Sequence, residues 1–179
     1  MTTTTTTTNQ DTPKPLPPLD VTQLPTDLTG QLKFATPTDE DMGLLAALRA
    51  GSVPWRERNE KPEESLEALT KLRPFIQVGK LNSSVVGYVT IERDGPVPGA
   101  AYMRNIVVSP SLQKRGVGTL LLNRSLEVAR DMNRKTIALR VDPANAPAVS
   151  FYRKAGFTTV ATVTSKKSGK LRLLMSREL

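Results

Sequence analysis

Apolar and polar residues alternate with two different periods along the chain from about residue 31 onward. Segments with a period near two predict strands at 31–35, 74–78, 85–92, 101–108, 136–141, 157–164 and 171–176. Segments with apolar residues three or four apart predict helices at 39–48, 62–72, 116–133 and 146–155. The resulting order, βααβββαβαββ, contains no internal repeat and predicts one α/β domain.

Polar residues with turn or capping preferences mark several boundaries. Thr38 stands before Asp39, Glu40 and Asp41, which predicts an N-cap followed by an acidic first helical turn. A turn near residues 80–83 predicts a hairpin between the second and third strands, and Ser168-Gly169 predicts another between the last two.

The first thirty residues lack the apolar patterning of the rest. Residues 2–8 are seven threonines, and five prolines follow before residue 26, so little apolar area could offset the entropy of ordering this segment. We expect residues 1–29 to form a flexible arm and residues 30–179 to form the folded domain. Neither a secretory signal nor an apolar run of membrane-spanning length is found, which favours a cytoplasmic protein that does not enter a membrane.

The composition excludes several kinds of chemistry. With neither cysteine nor histidine, the chain has no disulfide, thiolate nucleophile, Cys/His zinc site or histidine acid–base catalyst. The net charge is +8, and residues 31–179 carry 24 positive against 14 negative residues. This field favours an anionic partner, which could be nucleic acid, an acidic protein or a polyphosphorylated cofactor.

One strand–turn–helix segment, residues 105–119, suggests which anion. Gly116 and Gly118 at the start of a helix allow backbone amides to approach a diphosphate, and Lys114 and Arg115 add positive charge there. An ordinary tight turn would explain a lone Gly-x-Gly equally well. Leu121 stands where a dinucleotide fingerprint needs a small residue, and no nucleoside triphosphate loop occurs.

A second segment completes a recognisable pair. It reads Asn145-x-x-Ala148-x-x-Phe151-Tyr152-x-Lys154-x-Gly156-Phe157 and follows a predicted strand. Together with Val108-x-Pro110 and Gln113-x-x-Gly116-x-Gly118, it resembles the GNAT superfamily of acyl-CoA-dependent N-acetyltransferases. The resemblance covers roughly residues 31–178 in the order of the elements.

The resemblance implies a fold and an activity. The fold would be a mixed, mostly antiparallel central sheet of about seven strands, with a splayed parallel central pair at 101–108 and 136–141 and about four flanking helices. The activity would be transfer of an acetyl group from acetyl-CoA to a primary amine, by direct attack in a ternary complex. Neither a metal nor a covalent enzyme intermediate is expected.

The resemblance also implies the residues of the cofactor site. Main-chain groups of Ile106 and Val108 would pair with the pantetheine arm, and the Val107 N–H would face the thioester oxygen as an oxyanion donor. Asn145 either contacts the cofactor or simply caps its helix. Tyr152 would protonate the departing thiolate, unless it only packs against the cofactor. The full set is Ile106, Val107, Val108, Gln113, Lys114, Arg115, Gly116, Val117, Gly118, Thr119, Asn145, Ala148 and Tyr152.

The base that deprotonates the amine is harder to assign. Glu92 is the candidate on a strand beside the cofactor strand, and Asp142, Glu57 and Glu60 are alternatives, although each is a typical surface acid. Arg104 and Asn105 stand where some relatives carry a glutamate. Water or the acceptor's own ionisation could therefore replace a dedicated base.

Several alternatives stay open. Trp55, with Arg56 and Arg58, either packs in its loop or helps to bind an acceptor that bears a carboxylate or phosphate. The acceptor could be a small amine, an aminoglycoside, an amino acid, a lysine or a protein N-terminus. A competing hypothesis is a basic module that binds nucleic acid or an acidic protein around a vestigial or regulatory CoA site. Nucleic acid is disfavoured because no aromatic residues accompany the basic ones. A homodimer that uses the threonine arm is a third possibility.

Overall fold

The computed structural model describes Leu24, residues 28–166 and residues 168–179. Seven strands and four helices follow one another in the predicted order. They are β1 (Lys33–Ala35), α1 (Asp39–Ala50), α2 (Pro62–Leu72), β2 (Ile76–Leu81), β3 (Ser84–Glu92), β4 (Ala101–Val108), α3 (Val117–Asp131), β5 (Thr136–Val141), α4 (Ala146–Lys154), β6 (Thr158–Thr164) and β7 (Leu171–Glu178).

The strands form one mixed sheet. Their order is β1-β2-β3-β4-β5-β7-β6, and every neighbouring pair is antiparallel except β4 and β5, which are parallel. A parallel pair needs a crossover connection, and α3 supplies it. The predicted fold, a mixed and mostly antiparallel sheet with a central parallel pair, is confirmed.

The sheet buries apolar side chains on both faces. On one face, Leu121 and Leu122 of α3 pack against inward residues such as Val89 of β3. On the other, Leu45 of α1 and Leu69 of α2 pack against a set that includes Tyr88. Neighbouring residues of a strand therefore belong to different cores, as the two-residue period requires.

The turn between β2 and β3 is tighter than predicted. Strand β2 continues through Lys80 to Leu81, and only Asn82 and Ser83 form the turn, both with positive φ (47° and 68°). Two consecutive residues in this conformation match the twist of a two-residue hairpin. Lys80 is therefore a strand residue, and its ammonium lies 2.8 Å from an Asp41 carboxylate oxygen.

The predicted N-terminal arm is only partly described. Residues 1–23 and 25–27 lie outside the described residues. Leu28, within the range predicted for the arm, is 2% exposed and belongs to the larger core, and Leu24 packs against that core. Within the described part of the chain, no helix is long and apolar enough to cross a bilayer.

Candidate active site

The two parallel strands at the centre of the sheet separate after three residues. Strand β4 pairs with β5 only from Ala101 to Met103, opposite residues 137–139. Beyond that point, β4 remains paired with β3 up to Val108, while β5 remains paired with β7 up to Val141. The last five residues of β4 therefore present an edge toward β5 that β5 does not occupy.

Strand alternation decides which main-chain groups face this open edge. The Ser109 N–H donates to the Val86 carbonyl at 2.9 Å, and the register runs from there to Val89 and Ile106 without a shift. Because hydrogen-bonded and non-bonded pairs alternate in an antiparallel ladder, Val107 directs its N–H and C=O toward β3. Consistent with this, a Cβ built on Gly87 of β3 would lie 2.5 Å from the Val107 carbonyl oxygen.

This geometry corrects the prediction for the Val107 N–H. Near the end of β4, the groups that face the open edge belong to Ile106 and Val108, which makes these two residues the candidates for an oxyanion donor. The Val107 side chain is buried in the smaller core, and its amide lies in the β3–β4 ladder.

The N-terminus of α3 lies directly beyond the end of β4. Its N-cap, Gly116, has φ of 81° and no side chain, so it cannot cap the helix as serine or aspartate would. Leu120 is the first residue whose N–H bonds back to the helix, to Gly116 at 3.0 Å. The amides of residues 117–119 have no helical carbonyl to bond, and the helix dipole makes this end attractive to an anion.

The residues just before α3 add positive charge at the same helix end. Lys114 is exposed and has φ of 61°, and Arg115 is half-buried. No acidic residue occurs in the first turn of α3. The predicted diphosphate loop is thus a left-handed turn that leads into a helix start with positive charge beside it.

Gly118 joins three predicted parts of the site. A Cβ at this position would lie 3.8 Å from the Phe151 ring of α4 and 3.9 Å from the Val108 side chain of β4. The first turn of α3, the open end of β4 and helix α4 therefore meet at one glycine, although they are separated in sequence.

Tyr152 follows on α4 and is held by aromatic contacts. Its ring centroid lies 5.3 Å from that of Phe151 and 5.8 Å from that of Phe157. Burial raises the pKa of Tyr152 to about 12, so the phenol keeps its proton across the neutral range. A protonated phenol can donate to a thiolate.

Asn145 caps α4. Its Oδ1 accepts a hydrogen bond from the Ala148 N–H at 3.2 Å. The capping interpretation is therefore confirmed. The same hydrogen bond engages the Ala148 N–H, which is thus already bonded within the protein. A cofactor contact through the Asn145 amide nitrogen stays a prediction.

A cavity of about 310 Å³ opens beside the end of β4. Its walls are residues 51–53 and Arg56 from the α1–α2 loop, residues 106–108 of β4, and Pro110 and Gln113 before α3. The α1–α2 loop, which carries the residues considered for acceptor binding, thus lies against the strand that was predicted to bind the cofactor. Tyr152 and Asn145 do not line this cavity.

Glu92 is engaged in an ion pair outside the cavity wall. Both of its carboxylate oxygens accept hydrogen bonds from the Arg104 guanidinium, Oε1 from Nε and Oε2 from Nη2 at 3.0 Å. It lies opposite Tyr102, in the part of β4 that is still paired with β5. The structure therefore argues against the prediction for Glu92, because its oxygens are held by a neighbouring cation away from the cavity.

Two of the alternative carboxylates are also engaged. Asp142 accepts from Arg172 Nη1 at 2.9 Å and from the Ala144 N–H at 3.0 Å. Glu60 Oε1 accepts from Arg49 Nε and from Ser65 Oγ, both at 2.7 Å. Together with the exposed Glu57, none of these carboxylates belongs to the cavity wall that the described residues form.

The structure also shows buried polar groups that the sequence pattern does not reveal. Tyr88 Oη, Thr90 Oγ1 and Asn105 Nδ2 have no hydrogen-bond partner among the described residues. They lie on adjacent strands on the side of the smaller core, since Thr90 is opposite Asn105 in register. Burial raises the pKa of Tyr88. Period-two alternation could place these side chains on one face, but nothing local signals their missing partners.

The described residues contain no group of three or more carboxylate, histidine or cysteine side chains that could hold a metal ion.

Comparison with known proteins agrees with this arrangement. Residues 44–157 match the Acetyltransferase (GNAT) family. The chain is 37% identical over 118 residues to N-alpha-acetyltransferase RimI of Mycobacterium tuberculosis, which is 65% of this chain and 70% of that protein. It is also 37% identical over 57 residues to an uncharacterized N-acetyltransferase, MJ1207, of Methanocaldococcus jannaschii. That alignment spans 32% of this chain and only 25% of the relative.

A solved structure supports the fold. The crystal structure of Ard1 from Thermoplasma volcanium superposes with a TM-score of 0.68 at 22% identity and covers 83% of this chain and 98% of that one. A strand pair that opens beside an uncapped, glycine-started helix, within a sequence that matches the family over residues 44–157, leads to one conclusion: this chain belongs to the GNAT family and is an N-acetyltransferase.

Proposed function

We propose that this acetyltransferase transfers the acetyl group of acetyl-CoA to the α-amino group of a protein or peptide N-terminus. The observation that carries the proposal is the open edge of β4, which ends at an uncapped helix start and borders a cavity of about 310 Å³. The name of the relative RimI, an N-alpha-acetyltransferase, supports this acceptor class.

The residues present fit acetyl-CoA as a co-substrate. Amides and side chains of residues 113–119 would hold the diphosphate, with Lys114 and Arg115 beside it. Main-chain groups of Ile106 and Val108 would bond to the pantetheine amides as a neighbouring strand would. The thioester would then lie toward the point where β4 and β5 separate.

The reaction would be a direct displacement. The acceptor nitrogen attacks the thioester carbonyl carbon, a C–N bond forms, and the N–H of Ile106 or Val108 stabilises the oxyanion. The C–S bond then breaks, and Tyr152 donates its proton to the thiolate. The proton released by the nitrogen passes to water, and the Tyr152 phenolate regains a proton from water before the next turnover.

The ionisation of the acceptor supports an α-amine in particular. An α-amino group has a pKa of about 7.7–8.0, so roughly a tenth of it is neutral at pH 7, whereas the neutral fraction of a lysine amine with a pKa of about 10.4 is roughly 200- to 400-fold smaller. Because Glu92, Asp142 and Glu60 are engaged in ion pairs, an acceptor that ionises by itself suits this site.

The test is a thiol-release assay with acetyl-CoA and two forms of one lysine-containing peptide. One form has a free N-terminus, and in the other the α-amine is blocked. We expect thiol release with the free form only, with mass spectrometry placing the acetyl group on the α-nitrogen. The kcat/KM should rise with pH and level off above the α-amine pKa. Acetylation of the lysine in both forms would contradict the proposal.

A further inference from the structure

The wall of the cavity beside β4 contains one cation. Residues 106–108 of β4 form part of this wall, and Arg56 is the single charged residue among the described residues that line it. No carboxylate is part of that wall, as shown above. A ligand that fills this cavity therefore meets positive potential with no negative group to balance it.

Side-chain contacts with α1 and α2 hold the loop that carries Arg56 in place. The Arg49 guanidinium lies over the Trp55 ring, 4.7 Å from its centroid, and binds Glu60 at 2.7 Å. Ser65 of α2 donates to the same Glu60 oxygen at 2.7 Å. Trp55 thus packs against Arg49 and the smaller core, which supports the packing interpretation for this residue.

Main-chain hydrogen bonds fix the same loop on both sides of Arg56. The Arg56 N–H donates to the Ser52 carbonyl at 2.9 Å, and the Glu60 N–H donates to the Trp55 carbonyl at 3.1 Å. Because the backbone that carries Arg56 is already ordered, binding a ligand orders only the arginine side chain, which limits the entropy lost.

Arg56 and Arg58 provide an internal comparison. Both belong to the short 3₁₀ turn Arg56–Arg58 and both are exposed, but only Arg56 lines the cavity. The general positive charge of the chain would act through both residues alike. A specific contact with an acceptor would act through Arg56 alone.

We propose that Arg56 selects acceptors that carry a carboxylate close to the reacting amine, namely peptide N-termini with Asp or Glu among their first residues. This inference rests on the proposed function, since it concerns the acceptor of that reaction. A guanidinium can bind a carboxylate through two parallel hydrogen bonds, which gives geometric selectivity as well as affinity. In a cavity from which the substrate displaces water, this contact is worth more than an exposed ion pair.

The experiment compares three peptides that differ only at the second residue, which is Asp, Asn or Lys. Each is assayed by thiol release with wild-type protein and with the variants Arg56→Gln, Arg58→Gln and Arg56→Glu. We expect wild-type kcat/KM to be about tenfold higher for the Asp peptide than for the Asn peptide. Arg56→Gln should remove that preference, Arg58→Gln should keep it, and Arg56→Glu should favour the Lys peptide.

The KM for acetyl-CoA separates this role from a cofactor contact. It should stay within about twofold of wild type in Arg56→Gln, whereas a large rise with an unchanged Asp preference would assign Arg56 to the CoA site and overturn the inference. Equal wild-type rates with all three peptides would overturn it while the proposed function stands. Failure of every peptide to release thiol would reject the proposed function and the inference with it.

Discussion

The N-termini of α1 and α3 differ in how the free N–H groups of the first helical turn are treated. At α1, Thr38 Oγ1 accepts from the Asp41 N–H at 3.2 Å, and Asp41 Oδ2 accepts from the Thr38 N–H at 2.8 Å. Three acidic residues occupy the first turn. At α3 the N-cap is a glycine, the first turn has no acidic residue, and basic residues precede it.

The difference shows how to distinguish a structural helix start from a binding one. In the first turn of α1, side chains accept hydrogen bonds from the main-chain amides, so this helix end contributes to stability without a ligand. The first turn of α3 has no side-chain cap, which is why we propose that its amides bind an external anion, and the adjacent end of β4 is unpaired with β5. Substitutions at α1 should therefore change stability, and those at α3 should change ligand binding.

The largest expected effect tests the α3 start. Gly118→Val places two methyl groups where a single Cβ already contacts Phe151 and Val108, so it should obstruct the amides of the first turn. We expect the Kd for CoA to rise by about 100-fold, equivalent to about 2.7 kcal/mol. Titration calorimetry measures this directly.

Gly43→Val in α1 is the matched control, because a Cβ at Gly43 meets no atom within 4 Å. It should leave CoA affinity unchanged. If both glycine variants bind CoA equally well and remain folded, the contrast between the two helix starts is refuted.

The next effect concerns proton donation beside the α3 site. Tyr152→Phe should lower kcat by about 10- to 100-fold because the thiolate loses its acid, while the Kd for CoA stays within about twofold. Since burial raises the pKa of Tyr152 to about 12, wild-type kcat should show no loss of this proton between pH 6 and pH 9. Equal kcat values for the two proteins would remove Tyr152 from the mechanism.

The third prediction concerns the α1 side and its pH dependence. Burial pushes the pKa of Asp41 upward, but the Lys80 ammonium and the Thr38 hydrogen bonds outweigh it and lower the pKa. A lowered folded-state pKa means that this stabilisation is present above the unfolded value and is lost as the pH falls through the folded value.

Asp41→Asn should therefore reduce the free energy of unfolding by about 2 kcal/mol at pH 7. The difference from wild type should shrink as the pH falls below the ordinary aspartate pKa of 3.8. Urea titrations at pH 7 and pH 3.5 measure it. A difference that is constant with pH would show that the charge of Asp41 is irrelevant.

The smallest expected effects are changes in stability that distinguish a capping role from a cofactor-binding role. Thr38→Ala should cost about 1 kcal/mol of stability, and Asn145→Ser, which keeps a capping oxygen, should cost a few tenths. Neither change touches the α3 amides, so thermal melts should shift and the Kd for CoA should not. Weaker CoA binding by Asn145→Ser alone would establish a cofactor contact through the Asn145 amide nitrogen.

The order of the elements could be predicted from the sequence because its signals are local. The bounds of β4 and β5 and the Thr38 N-cap follow from spacings of two to four residues. The glycine-started helix and the Asn145 segment are equally local, which is why the two motifs identify the family together.

The direction in which the main-chain N–H and C=O groups of β4 point could not be predicted from such local signals. A strand read alone does not show which N–H points to which neighbour, so Val107 was assigned to the open edge that Ile106 and Val108 face. Register with β3, fixed by residues about twenty positions earlier, decides it.

By itself, the sequence determined the order of the strands and helices, the Thr38 and Asn145 caps and the glycine-started N-terminus of α3, because periodicity and capping operate within a few residues. Only the tertiary structure decided where β4 leaves β5, which carboxylates are neutralised by Arg49, Arg104 and Arg172, and which arginine of the 3₁₀ turn lines the cavity. These outcomes depend on ion pairs and hydrogen bonds between residues distant in the chain, and such partners are chosen when the sheet and its helices pack together.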